Sequence, residues 1–295
     1  MLHKTYEIKS GPPAPSIEEY AKNCQTEWHS LLDHAPEEKD IQSFLERNPA
    51  FLPGAWTPNV KSGHYPLHCA AISQPILPGL KTRIPDFMWI STHSSMWYPT
   101  LIEIEKPSKR IFTSAGIPSA QFSQARNQLA QWRTWFSSPE NVHMFMSSYG
   151  IPDWMHRGRQ MQLHLVLIYG RRHEFKESPA LSKQRAFLMN TGEELISYDR
   201  LSFDSDLRDA ITIRAVGNGK FRALHVPPSF RHRPDLADRL LVIDEIEAAL
   251  SATPLITDER REFLISRIPY WMNWEKKEKC IDEGNFGLIN MGDSE

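Results

Sequence analysis

Two short runs constrain this chain more than any other feature: Arg83-Ile84-Pro85-Asp86-Phe87 and Thr100-Leu101-Ile102-Glu103-Ile104-Glu105-Lys106-Pro107. Both surround acidic residues with β-branched and aromatic neighbours and read as strands, with Pro99 and Pro107 closing off the second. Side chains alternate along a strand, so Glu103 and Glu105 take one face and Ile102, Ile104 and Lys106 the other. Two carboxylates on one buried face are costly unless a counter-charge neutralises them. A hairpin pairing with the first run would add Asp86 as a third. Oxygen ligands of this kind, completed by water, suit Mg²⁺ or Mn²⁺, which polarises a phosphodiester and activates a water. The competing reading is an exposed acidic edge strand, since Glu and Lys commonly blunt sheet edges.

Further segments stand in order around these runs. Ile41-Gln42 and Phe44-Leu45-Glu46-Arg47-Asn48-Pro49 precede them; a Gln-rich helix over residues 121–132, a strand carrying Leu163, Val166, Ile168, Tyr169, Gly170 and Arg171, and Ser197-Tyr198-Asp199-Arg200-Leu201 follow. Together with Pro85-Asp86-Phe87 and Glu103-Ile104-Glu105, this order resembles the PD-(D/E)XK nuclease superfamily. Within it, residues 38–201 resemble the nuclease domain of Shedu anti-phage defence proteins. No one of these short motifs is specific; their order and spacing carry the resemblance.

The resemblance implies an α/β, restriction-endonuclease-like (PD-(D/E)XK) core, a central mixed β-sheet flanked by helices. It also implies a Mg²⁺-dependent (or Mn²⁺-dependent) endonuclease acting on phage DNA, and a homo-oligomer, dimer or tetramer. The catalytic set it points to is Asp86, Glu103, Glu105, Lys106 and Gln128. Asp86, Glu103 and Glu105 would be metal ligands, with Glu38 of the preceding helix as a further acid. Gln128 lies on the helix that in the family faces the catalytic strands, where a neutral amide can hold a water or phosphate oxygen without adding charge.

One departure stands out: Glu105 occupies the position where the family usually has Lys, and Lys106 follows one residue later on the opposite face of a regular strand. Three readings stay open. Glu105 acts as a ligand or orients the attacking water; a β-bulge swings Lys106 inward; or chemistry is lost and a nucleic-acid-binding or assembly module remains. A restriction or repair nuclease outside defence would share the same site.

The formal net charge of −2 excludes a uniformly basic nucleic-acid binder but not a local basic surface. Lys109, Arg110, Gln121, Arg171 and Arg172 are the candidate DNA-binding residues. Cys24, Cys69 and Cys280 form no CxxC pair and read as reduced thiols. No apolar run reaches membrane-spanning length and the start lacks a signal-peptide core, which places the expectation in the cytoplasm, away from membranes.

Three regions are expected: an N-terminal arm and helix (1–36), the nuclease domain (37–201), and a C-terminal hairpin with helices (202–295). Ser16 caps the first helix, Pro36-Glu37-Glu38 opens the second, and Ser119 caps a third with the stripe Phe122, Ala125, Leu129, Trp132 and Phe136. Strands are expected over 56–60, 68–72, 161–168 and 194–198. Gly217-Asn218-Gly219 marks a hairpin, followed by helices over 235–250 and 257–274.

Overall fold

The computed structural model describes residues 6–56, 64–79, 84–176, 178–277 and Glu295. Ser16 caps α1 (Ile17–Asp33), its hydroxyl accepting from the Glu19 N–H. α2 (Glu38–Arg47) follows, with the Asp40 carboxylate accepting the Glu37 N–H at 3.0 Å. β1 (Ala70–Ser73), β2 (Phe87–Thr92) and β3 (Met96–Ile104) then form an antiparallel meander.

α3 (Ala120–Phe136), α4 (Pro139–Tyr149) and the short α5 (Asp153–His156) return the chain to the start of the meander. β4 (Gln160–Met161) and β5 (His164–Ile168) can therefore pair with β3 in parallel. α6 (Pro179–Arg185) leads to β6 (Glu193–Ile196), parallel to β5. On the far side, β7 (Ile211–Gly217) lies parallel to β1, and β8 (Lys220–His225) folds back on it around Asn218-Gly219. α7 (Arg239–Val242), β9 (Ile243–Asp244), α8 (Ile246–Ala252) and α9 (Asp258–Lys277) complete the order. Among the described residues the result is one mixed nine-stranded sheet, β6-β5-β3-β2-β1-β7-β8-β9 with β4 beside β3.

Alternation along the strands builds two apolar layers. Met88, Ile90, Leu101, Leu165 and Leu167 face Phe122, Leu129 and Trp132 of α3, together with α4 and α9. Phe87, Trp89, Ile102, Ile104, Val166 and Ile168 face Trp28 of α1 and Ile41, Phe44 and Leu45 of α2. Helices thus cover both faces of a mixed sheet, the α/β layering expected from the sequence. Among the described residues, no helix is long and apolar enough to cross a membrane.

Four local expectations need correction or a limit. Pro99 does not close a strand but lies inside β3, opposite Ile90. It is tolerated because it falls at the seam between Trp97, which pairs with β4, and Thr100, which pairs with β5, where no ladder N–H is required. Residues 161–168 divide into β4 and β5 at that same seam.

The helix expected over 235–250 is broken into α7, β9 and α8, with Glu245 at φ 64 between the last two. The open edge of β8 competes for this backbone: Ile243 pairs with Phe221, so the stripe Leu236, Leu240, Ile243 and Ile246 is buried without a continuous helix. Residues 57–60 of the expected strand over 56–60, residues 1–5 of the arm, and Cys280 lie outside the described residues. Cys24 and Cys69 are buried free thiols.

Candidate active site

The β2–β3 hairpin fixes the geometry of the acids. Phe87 pairs with Ile102, and Asp86, just before β2, is tied to the same residue of β3, which brings its carboxyl beside that of Glu103. The Asp86 N–H donates to the Ile102 carbonyl at 3.1 Å, and its Oδ2 accepts the Ile104 N–H at 2.8 Å. Glu103 is 7 % exposed and lies on the α3 side of the sheet. There Gln128 Nε2 donates to Glu103 Oε1 at 2.7 Å. Glu103 Oε2 is buried with no hydrogen-bond donor among the described residues.

The electrostatics follow from that burial. Burial pushes the Asp86 carboxyl up to about 7, against the Ile104 N–H, with the charges of Glu38 and Glu105 adding to the rise. Glu103 is raised well above the usual carboxylate range by burial first, then by Asp86, Glu105 and Glu38. One proton shared between Asp86 and Glu103 relieves the pair; with both ionised, Glu103 Oε2 faces like charge and no donor. Glu38, exposed in the first turn of α2, is itself raised by partial burial and by Glu105, while the Lys109 charge acts the other way.

Strand alternation places Lys106 away from the acids, and the structure keeps it there. Lys106 stays on the α2 side and its ammonium pairs with Glu37. β3 keeps its register with β5 through Ile104, and the Glu105 N–H still reaches the Ile168 carbonyl at 3.2 Å, so this side of β3 carries no bulge that swings Lys106 across the sheet. Lys109 instead pairs with Glu105, whose side chain is 13 % exposed.

The other basic candidates are dispersed. Arg110 is exposed and 3.9 Å from buried Glu174. Arg171 is engaged internally, donating to Asp199 at 2.8 Å and to the Leu32 carbonyl at 2.9 Å. Arg172 and Gln121 lie exposed on the surface.

Two supporting residues went unassigned in the sequence reading. Tyr198 is fully buried; its hydroxyl donates to the Glu105 carbonyl at 2.5 Å and accepts the Glu105 N–H at 3.1 Å. It therefore holds the chain where β3 leaves the sheet. Glu174 accepts the N–H groups of Ile111 and Phe112 at 3.1 and 2.9 Å and holds the loop after Glu105. Tyr198 stood within a segment of the family resemblance, but nothing local marks Glu174.

Among the described residues, no three His, Cys, Asp or Glu side chains already surround a metal position. The donor set nevertheless fits a hard divalent ion. Mg²⁺ retains several waters and is commonly held by only one or two carboxylates, which Asp86 and Glu103 supply. The orphaned Glu103 Oε2 is the atom such an ion would satisfy. Residues 35–202, more than half of the chain, match a family model described as Shedu protein SduA, C-terminal. No curated protein matches the chain.

Proposed function

Because the chain belongs to the Shedu SduA C-terminal family, we propose that it is a metal-dependent DNA endonuclease with a PD-(D/E)XK core, acting in anti-phage defence. The observation that carries this reading is the close pair of Asp86 and buried Glu103, with one Glu103 oxygen left without a donor among the described residues. A protein keeps such an arrangement at a cost in stability, and perturbed acids of this kind cluster at functional sites.

Asp86 and Glu103 would hold Mg²⁺ or Mn²⁺, with Glu105 and Glu38 close enough electrostatically to add to the field. The ion would supply Lewis-acid polarisation of the phosphodiester and a water of lowered pKa. The chain's own groups do the rest. Gln128 fixes the orientation of Glu103 through its 2.7 Å bond. Tyr198 fixes the backbone of Glu105. Hydrolysis adds water across one P–O bond of the backbone, leaving a phosphomonoester and a free hydroxyl. The substrate would be phage DNA and the working form a homo-oligomer in the cytoplasm.

A second reading, a DNA-binding module without chemistry, is favoured by one observation, the pairing of Lys106 with Glu37 away from the acids. Calorimetric titration with Mn²⁺ separates the two. Binding that Asp86→Asn and Glu103→Gln each abolish supports the catalytic reading, and an unchanged isotherm counts against it. For the biological role, lost phage protection in cells carrying Asp86→Ala is the expected result.

A further inference from the structure

Glu105 stands where a lysine would serve a site of this kind, and the lysine next to it is turned away. Lys106 is fixed to Glu37 on the α2 side. Lys109, four residues after Glu105, brings an ammonium onto the Glu105 carboxylate from the loop. That pair is mostly covered, with side-chain exposures of 27 % and 13 %.

The loop bearing Lys109 is held on both flanks. The Lys109 N–H closes a turn on the Lys106 carbonyl at 3.0 Å. Glu174, 3 % exposed, takes the Ile111 and Phe112 N–H groups. Ser119, which caps α3, ties to the same loop: its N–H donates to Ile111 and its hydroxyl to Arg110, both at 2.8 Å. Gly170, at φ +67, passes so near that a Cβ there would meet the Lys109 carbonyl at 3.1 Å. An exposed Lys–Glu pair contributes little and needs no such framework. A framework that orders an ammonium beside a group of carboxylates is what pre-organised recognition of a phosphate requires.

We propose that Lys109 is the phosphate-contacting lysine of this site, its ammonium presented from the loop beside Glu105 in place of a lysine on the strand. This rests on the hydrolytic reading above. Lys109 stays paired to Glu105 in the free protein and binds a non-bridging phosphate oxygen of DNA held at the Asp86–Glu103 pair. Lys106 takes no part.

The test compares Lys109→Met, Lys109→Gln and Lys106→Met in the full chain by two readouts. The first is cleavage of plasmid DNA with Mg²⁺. The second is the salt dependence of binding to a short duplex with Ca²⁺ in place of Mg²⁺. Both Lys109 variants are expected to cut at least about 100-fold more slowly, and to lose about one unit of the slope of log affinity against log salt, the signature of one lost phosphate contact. Lys106→Met is expected to leave both within about threefold. The exchange Glu105→Lys with Lys109→Glu, which returns an ammonium to the strand, is expected to recover at least tenfold over Lys109→Met.

The Gln variant retains polarity should the Met variant fail to fold. Full cleavage and an unchanged slope in the Lys109 variants overturn the assignment and leave the hydrolytic reading standing. A wild-type chain that cuts no DNA but loses the unit of slope with Lys109→Met removes the hydrolytic reading and keeps the contact.

Discussion

Gln128 Nε2 donates to Glu103 Oε1 at 2.7 Å, while the other oxygen of the same buried carboxylate has no donor among the described residues. An amide from α3 thus orients the acid without neutralising it. Removing it in Gln128→Ala leaves both oxygens bare, and is expected to cost about 1–3 kcal/mol of stability when Glu103 is ionised. Gln128→Glu replaces the donor by a further acid and is expected to cost more at pH 8 than at pH 5. Denaturant titrations at the two pH values measure both effects, and a Gln128→Glu chain as stable at pH 8 as the wild type would contradict this geometry.

The Asp86 carboxyl, pushed up to about 7 by burial and neighbouring acids, carries a sign opposite to that of a salt-bridged aspartate. Its folded pKa lies above its unfolded one, so the folded state favours the protonated form. Stability is then lost as pH rises from about 4 through about 7. Asp86→Asn, in chelator, is expected to stabilise the chain by roughly 1–3 kcal/mol at pH 8 and hardly at pH 4. Thermal melts at the two pH values check this. Added Mg²⁺ is expected to raise the wild-type midpoint and leave that of the variant unmoved.

His232 gives the opposite trend on the acid side. Burial, helped by the charges of Arg239, Arg267 and Arg260, pushes its pKa down to about 3, against the bond to the Leu264 carbonyl at 2.8 Å. The unfolded chain takes up a proton near pH 6.5 and the folded chain does not, so stability falls as pH drops below that value. Between pH 6.5 and 4.5 this group alone is expected to remove about 2–3 kcal/mol, at about 1.4 kcal/mol per unit. His232→Gln, which keeps a donor for Leu264, is expected to flatten that part of the stability–pH curve. An equally steep curve in the variant would assign the acid sensitivity elsewhere.

Tyr198 holds the end of β3 through one hydroxyl that both donates to and accepts from the Glu105 backbone. Tyr198→Phe keeps the ring against Trp28 and removes only those bonds. A loss of about 1–3 kcal/mol is expected, since buried backbone groups are left partly unpaired. Faster amide exchange at Glu105, with little change at Leu101, is the local signature to measure.

Much of this architecture is legible where local chemistry and burial agree. Ser119 followed by Phe122, Ala125, Leu129, Trp132 and Phe136 marks α3 from its cap to about its end, because one cap and one apolar stripe decide it. The hairpin pairing of the two acidic runs, which brings Asp86 to Glu103, is legible as one possibility, because two short strands joined by a small polar turn pair locally.

What could not be read depends on partners distant in sequence. Pro99 sits inside a strand because β4 and β5 part beside it. The segment 235–250 breaks because the edge of β8 takes Ile243. Lys109 reaches Glu105 from a loop set by Glu174, more than sixty residues on, and no periodicity in the run after Glu105 carries that information.

The most direct measurement is cleavage of linear and supercoiled DNA with Mg²⁺, Mn²⁺ or chelator, by wild type and by Asp86→Ala, Glu103→Ala and Glu105→Ala. The proposed site requires metal-dependent cutting that chelator stops and that Asp86→Ala and Glu103→Ala each reduce by at least about 1000-fold, or about 4 kcal/mol of barrier. A wild-type chain that binds DNA yet cuts no form of it with either ion, or one that cuts equally well without Asp86, would contradict it.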